Sequence, residues 1–397
     1  MPPILFSSIN FHRIVKNSEE GLCLSPYFLR IMTHSFLPFV SCFCAFLISW
    51  ITIPAVIRAA HFKSLVDLPN ERKSHAKAIP TLGGLSIFAG ILISSSFFKD
   101  YGGFHEIRFM IPAIVILFLV GIKDDILILS AKKKFMAQIC AAALISIAGD
   151  LRIASFYGLF GLQAIPYLVS VALTIFTIVC IINAFNLIDG INGLAGGISF
   201  IISTTFGTWF YLIGKYDLAI LAYSLSGSVL GFLFYNFKEE ASIFMGDTGA
   251  MIIGFIMAIC AIQFIELNKV LETQLRVGDS FSYWIKASPA VVMGILIVPL
   301  FDTLRVFLIR LLKGRSPFVA DRNHLHHVLI QLGCGHTQAS LILCTTNLLF
   351  IILAFVFRDW RSTQLLLFLF ALAFVLSQIP FVIKVLRRRK EFALFRN

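Results

Sequence analysis

Long uninterrupted apolar blocks divide this chain, and polar residues collect in the gaps between them. Blocks long enough for a bilayer core, which takes about 20 helical residues, lie at 37–57, 80–98, 108–123, 135–148 and 166–186. Six more follow at 194–214, 218–236, 250–265, 288–311, 338–357 and 363–385. The pattern predicts about 11 transmembrane helices, the run at 135–148 being short for a span. No internal repeat or low-complexity segment interrupts it, so residues 34–397 are read as a single membrane domain. Residues 1–33 are more polar, with Arg13, Lys16, Glu19 and Glu20. They lack a basic region, apolar core and cleavage site in sequence, so they read as an extension of unassigned role, not a signal peptide.

Composition agrees with this all-α polytopic reading. Of 397 residues 58% are hydrophobic, 41 are Phe, and only 14% are charged, with a mean hydropathy of +0.89. A soluble protein keeps about a quarter of its residues charged. The net charge of +12 does not indicate nucleic acid, because the basic residues are spread over loops and form no aromatic-interleaved surface. The eight cysteines lie mostly inside apolar runs with no CxxC spacing, so they read as small packing residues, not disulfide or zinc ligands.

The basic residues set an orientation. Arg58, Lys63, Arg72, Lys73 and Lys77 follow the first run, Lys123 and Lys132 to Lys134 follow the third, and Lys384 with Arg387 to Lys390 close the chain. Loops of the other parity hold fewer. The positive-inside bias therefore predicts an outside N-terminus and a cytoplasmic C-terminus. The same parity puts four polar clusters on the cytoplasmic side: Asp124-Asp125, Asn183–Gly193, Phe244–Gly249 and Asp321–His327.

Each cluster has a chemical reading and a plainer one. Asn183, Asn186 and Asp189 recur every three residues and form one stripe on a helix. An intramembrane carboxylate costs about 2.5–3.5 kcal/mol on insertion scales, so the stripe should face a wet cavity or a partner; a capped helix end with glycine stops is the alternative. Asp124 and Asp125 project about 100° apart on a helix, so one can activate an acceptor or approach a metal while the other caps the next segment. Both could equally be boundary carboxylates paired with lysines. Asp247, in Gly-Asp-Thr-Gly, can be an N-cap or, with Asn186, an oxygen ligand suited to Mg²⁺, which leaves coordination positions for phosphate and water. His324, His326 and His327, beside Arg322, suit phosphate oxygens or proton transfer; zinc is weaker for want of co-ligands. A transporter would place its polar residues near helix centres in paired repeats, which this pattern does not do.

The segments Asp67–Gly84, Gly121–Asp125, Leu151–Gly161, Asn183–Gly193, Phe244–Gly249, Asp302–Arg305 and Ser316–His327 resemble, in order, the polyprenyl-phosphate N-acetylhexosamine-1-phosphate transferases. The likeness is to the WecA and TagO branch of the MraY superfamily. It implies an α-helical membrane enzyme with a short extracytoplasmic hairpin near 151–161 and a site on the cytoplasmic side of the inner membrane. Such an enzyme transfers a sugar 1-phosphate from a UDP-sugar to polyprenyl (undecaprenyl) phosphate, releases UMP and requires Mg²⁺, for which Mn²⁺ can substitute.

By resemblance Asn186 and Asp247 hold the metal, and Asp124 or Asp125 positions or deprotonates the lipid phosphate. Asp189 and Asn192 lie near the nucleotide, with Asn183, Arg305 and Arg322 on the substrate side. His324, His326 and His327 hold the donor diphosphate. Asn192 stands where many bacterial members have Asp. His-Leu-His-His replaces the three consecutive histidines of MraY, which favours a UDP-N-acetylhexosamine over UDP-MurNAc-pentapeptide. Monomer and homodimer are both compatible with the sequence.

Overall fold

The computed structural model describes residues 26–63, 65–67, 79–94, 107–127, 129–161, 164–276, 283–314 and 323–394. Residues 1–25, most of the Asp67–Gly84 loop, and Arg322 lie outside these.

Helix α1 (Pro26–Phe62) leads to a two-residue hairpin, β1 (Val66–Asp67) pairing antiparallel with β2 (Ile79–Pro80). Then come α2 (Gly83–Ser94), α3 (Ile107–Leu127) and α4 (Ala131–Ala143), the last extended by a π-turn at Leu144–Ala148. Next are α5 (Tyr167–Ile188), α6 (Leu194–Leu212), α7 (Tyr216–Asn236) and α8 (Gly246–Arg276). The chain ends with α9 (Ser288–Ile295), α10 (Ile297–Leu312), α11 (Leu325–Gln331), α12 (His336–Val356) and α13 (Ser362–Leu394). In hydrocarbon every backbone N–H and C=O must be satisfied within the protein, so such apolar runs become helices.

Ten of the 11 expected runs each coincide with one helix among the described residues, and the run at 288–311 is divided between α9 and α10. Among the described residues six helices are long and apolar enough to cross a bilayer, or seven if α9 and α10, bent by 80°, form one span. The others fall short for local reasons. α2 is described over only 12 residues, α3 ends in Lys123-Asp124-Asp125, α4 opens with three lysines, and α6 is rich in Gly, Ser and Thr. Of these polar residues, Asp124, Asp125 and Lys134 belong to the carboxylate cluster. The protein is a multi-pass membrane protein.

Helix α8 is the centre of the bundle. From Ala250 to Ile262 all its large side chains are buried, as expected of a helix apolar on every side and enclosed by others. Helices α2, α3 and α5 pack around it. Its N-terminal approach is fixed by backbone pairing: Phe244 N–H donates to the Pro80 carbonyl (2.8 Å), and Gly83 and Gly84 N–H donate to the Phe244 and Met245 carbonyls (2.9 and 2.8 Å).

Gly84 sits where α2 meets this start. A Cβ there would stand 2.2 Å from Gly249 N and 2.7 Å from its Cα, with backbone on both sides unable to yield. Overpacking of this kind costs about 1–3 kcal/mol. Gly84→Ala is therefore expected to lower the Tm of the purified protein and to move Asp247 out of register; an unchanged melt would show that the two helices can separate freely.

The segment expected to form a short hairpin carries one isolated antiparallel bridge, Ser155 to Ala164, and Ala154 N–H is held by Glu266 of α8 (2.9 Å). It joins α4 to α5 at the ends opposite Lys134 and Asp189.

Candidate active site

Four helices bring their polar ends together at one point. Asp124 and Asp125 come from the last turn of α3, Lys134 from the first turn of α4, Asn186 from the end of α5, and Asp247 from the start of α8. Lys134 Nζ lies 3.0 Å from Asp124 Oδ2 and 2.9 Å from Asp247 Oδ2. The other Asp247 oxygen accepts a short hydrogen bond from Asn186 Nδ2.

The two adjacent aspartates divide their work. Asp125 Oδ1 accepts the Asp247 N–H (2.8 Å), and its Oδ2 accepts the Thr248 N–H and hydroxyl (3.2 and 2.5 Å). It thus caps α8 from a neighbouring helix, satisfying N–H groups that have no partner within α8 itself. Asp124 Oδ1 accepts the Leu129 N–H (2.5 Å), fixing the turn into α4, and its second oxygen faces Lys134.

The three polar positions of the Asn183–Gly193 stretch have different surroundings. Asn186 reaches Asp247. Asp189 ends α5 as its C-cap, and its carboxyl is raised to about 7 by burial first, then by the negative charges of Asp247 and Asp125. Asn183 instead donates to Gln138 Oε1 (2.7 Å) and back to the Val179 carbonyl (2.8 Å), tying α5 to α4.

Asn192 is buried and engaged on several sides. Its Nδ2 donates to the Lys238 and Glu239 carbonyls (both 2.9 Å), and its own carbonyl accepts from Ser340 Oγ (2.6 Å). An Asp here could not make the two donations. Asn236 closes the same turn by accepting the Gly193 N–H (2.7 Å) and donating to the Ile243 carbonyl (2.9 Å). Glu239 accepts the His336 and Thr337 N–H groups (3.0 and 3.1 Å) at the start of α12. These N–H bonds, with the positive end of the helix, hold its carboxyl below the usual range despite the opposing effect of desolvation.

The histidines stand on Asp302 and Arg305, both from α10. Asp302 Oδ2 lies 2.8 Å from His324 Nδ1, while its Oδ1 accepts from Arg305 Nη2 (2.9 Å) and the Leu325 N–H (3.1 Å). Arg305 also donates to the Asn323 carbonyl. The rings of His326 and His327 lie 4.2 Å apart, with His324 5.6 Å from His326. His326 connects this cluster to the carboxylates: a Cβ on Gly190 would be 2.4 Å from its Nε2. Its two ring nitrogens are buried without a hydrogen-bond partner, an arrangement that calls for a ligand.

Burial, with the charge of His327 next, pushes His326 down to about 3, against about 6.5 in an unfolded chain. As pH falls below 6.5 the unfolded chain takes up a proton that folded His326 does not, so stability drops with acidity over that window. Thermal melts at pH 7.5 and pH 5 should show a loss in the wild type that His326→Gln reduces; equal losses would remove His326 as its source.

Aspartate and carboxamide oxygens form a hard donor set for Mg²⁺, and an ammonium already bridges two of the carboxylates, so the residues present fit a cation. Among the described residues no group of three or more His, Cys, Asp or Glu is arranged to hold a metal, so an ion at Asp247 and Asn186 would keep most of its coordination for other oxygens.

Lys134 and Asp302 were not among the sequence-derived site residues. The signal for Lys134 lay in its spacing from Gln138: an i, i+4 polar pair, with Ala137 and Ala141 buried beside it, marks an inward face. Asp302 and Arg305 form an i, i+3 pair in an apolar run, which already requires a partner.

The family model for glycosyl transferase family 4 matches residues 107–265, a segment that holds the carboxylate cluster. The chain is 33% identical over 347 residues to the probable undecaprenyl-phosphate N-acetylglucosaminyl 1-phosphate transferase of Bacillus subtilis, covering 84% of this chain and 90% of that protein. It is 32% identical over 285 residues to the undecaprenyl-phosphate alpha-N-acetylglucosaminyl 1-phosphate transferase of Salmonella typhi, covering 70% and 72% of the two chains. The Escherichia coli K12 protein of that name is 31% identical over the same shares. With this likeness along most of its length, the chain belongs to the polyprenyl-phosphate N-acetylhexosamine-1-phosphate transferases of glycosyl transferase family 4.

Proposed function

We propose that this protein transfers N-acetylglucosamine 1-phosphate from UDP-N-acetylglucosamine to undecaprenyl phosphate, releasing UMP, as the first membrane step of a cell-envelope polysaccharide. One observation carries the reading: beside a cation-ready group of carboxylates, His326 packs against Gly190 with both ring nitrogens buried and without a hydrogen-bond partner, in a chain whose relatives bear this activity in their names. Those names also favour N-acetylglucosamine over a MurNAc-pentapeptide donor.

The chemistry brings two anionic groups together. At about 4 Å two unit charges repel by about 4 kcal/mol at an effective dielectric near 20. A phosphate oxygen of the lipid attacks the sugar-proximal phosphorus of the donor; the new P–O bond forms as the bond to UMP breaks, in line. Asp247 and Asn186 would hold Mg²⁺, which would supply positive charge to offset the diphosphate and the leaving phosphate.

The protein positions and balances charge. Asp125 is fully used at the start of α8, so its part is to hold Asp247 in place. Asp124, whose second oxygen faces the Lys134 ammonium, is the carboxylate assigned to the acceptor phosphate. His326, neutral and unpartnered, offers a ring N–H to the donor diphosphate, with His324 oriented by Asp302 and His327 beside it. Asp189 lies at the nucleotide, Asn192 shapes that pocket by holding the Lys238–Glu239 turn, and Asn183 supports it by tying α5 to α4. Arg322, outside the described residues, is assigned to the donor by resemblance alone.

The basic loops support an arrangement of about 11 spans with the N-terminus outside, the C-terminus in the cytoplasm and the site facing the cytoplasm in the inner membrane. Purified full-length protein, given labelled UDP-N-acetylglucosamine, undecaprenyl phosphate and Mg²⁺, should yield UMP and a lipid-linked sugar diphosphate by mass spectrometry. Absence of that lipid, or its formation only from another UDP-sugar, would refute the assignment.

A further inference from the structure

Three consecutive lysines open α4, and they do not behave alike. Lys132 and Lys133 are exposed, whereas Lys134 is half-buried. The difference is one of helix face. Lys134 and Gln138 are four residues apart and point the same way, and Gln138 is buried against Asn183 of α5. That contact anchors the face, so the ammonium one turn earlier is delivered to Asp124 and Asp247 at 3.0 and 2.9 Å. Asp124 comes from α3 and Asp247 from α8. One positive charge thus joins two helices whose carboxylates would otherwise repel.

The Asp247 oxygen that Lys134 occupies belongs to the carboxylate assigned to the metal. Ammonium and divalent cation cannot both draw fully on it. We infer that Lys134 is a resident counter-ion for Asp124 and Asp247 in the substrate-free enzyme, competing with the metal and released toward an incoming phosphate when the metal binds. The inference rests on the metal site proposed above.

Two physical points support it. Lysine carries a compact point charge on a flexible four-carbon stem with rotatable donors, so Nζ can leave a carboxylate for a phosphate oxygen without moving the helix. Arginine's planar fork would suit a permanent paired lock better. The exchange also keeps the charge of the site nearly constant. Before the metal binds, the ammonium offsets the carboxylates; afterwards the metal does so, and the ammonium is available for the added anion. An empty enzyme then never exposes a bare group of acids.

The test reads metal binding, not turnover. Mn²⁺ is titrated into the detergent-solubilised full chain without substrates and followed by electron paramagnetic resonance. Lys134→Met and Lys134→Gln remove the charge, and Gln keeps hydrogen-bond donors should the Met variant fold poorly. Both are expected to bind Mn²⁺ about tenfold more tightly than wild type, the equivalent of about 1.4 kcal/mol, while Lys134→Arg does not gain affinity. In the same proteins UDP binding in the presence of Mn²⁺ is expected to weaken.

Asp247→Asn separates this inference from the one beneath it. If Asp247→Asn abolishes Mn²⁺ binding but the neutral Lys134 variants bind it no more tightly than wild type, the competition is overturned and the metal site stands. If Asp247→Asn binds Mn²⁺ as wild type does, or wild type has no saturable site, both fall.

Discussion

Asp247→Ala is expected to abolish transfer with little loss of folded protein. The carboxylate is the shared partner of Asn186 and Lys134, and it is the group assigned to the cation that neutralises the donor diphosphate. Removing one preorganised electrostatic contact of a transition state costs about 10²–10³ in kcat. Here the side chain also carries the metal, so a loss of at least about 10³-fold is expected from both effects together. The fold should survive because the cap on α8 is made by Asp125 to backbone N–H groups and Thr248, none of which the substitution removes. Turnover of labelled UDP-N-acetylglucosamine, read beside a thermal melt, checks both parts. Undiminished turnover in Asp247→Ala would refute the metal assignment.

Asp302→Ala should fail in the other direction, by losing the fold first. Asp302, Arg305 and His324 are all buried, and the aspartate serves three partners at once: the Arg305 guanidinium, the His324 ring and the Leu325 N–H. Truncation leaves the buried Arg305 guanidinium with the Asn323 carbonyl and the face of Phe381 but without the Asp302 charge. Breaking a buried pair from one side costs about 3–5 kcal/mol, which should appear as a clear fall in Tm. Asp302→Asn keeps the shape and one acceptor, so it should melt closer to wild type yet raise the KM for the UDP-sugar, because His324 loses the charge that orients it. If Asp302→Ala melts like wild type, the network does not support the histidine loop.

These two aspartates mark the limits of what could be read in advance. Asp247 was legible as a candidate because Gly246 and Gly249 flank it and permit close approach of a ligand, beside the N-cap reading that a helix start also allows. Asp302 sits inside an apolar run, and the run itself was the stronger signal. The likeness to known transferases pointed to its segment without naming its task. Asn192 shows the opposite case. The resemblance put it near the nucleotide, and the structure shows its side-chain amide holding the Lys238–Glu239 turn while its backbone carbonyl accepts from Ser340 of α12. Side-chain amides look alike in a sequence whether they meet a ligand or a carbonyl; the difference lies in which backbone lies opposite.

The sequence by itself determined that this is an almost wholly helical, multi-pass membrane protein, because apolar run length is a property of composition that needs no knowledge of neighbours. It also determined which polar residues are too expensive to be idle. Only the tertiary structure decided how those residues divide their work: Asp125 as a cap and Asp124 as the partner of an ammonium, Lys134 as the one inward lysine of three, and His326 against Gly190. Those choices depend on where helices from distant parts of the chain end relative to one another. Packing around α8 sets that geometry, and no local pattern encodes it.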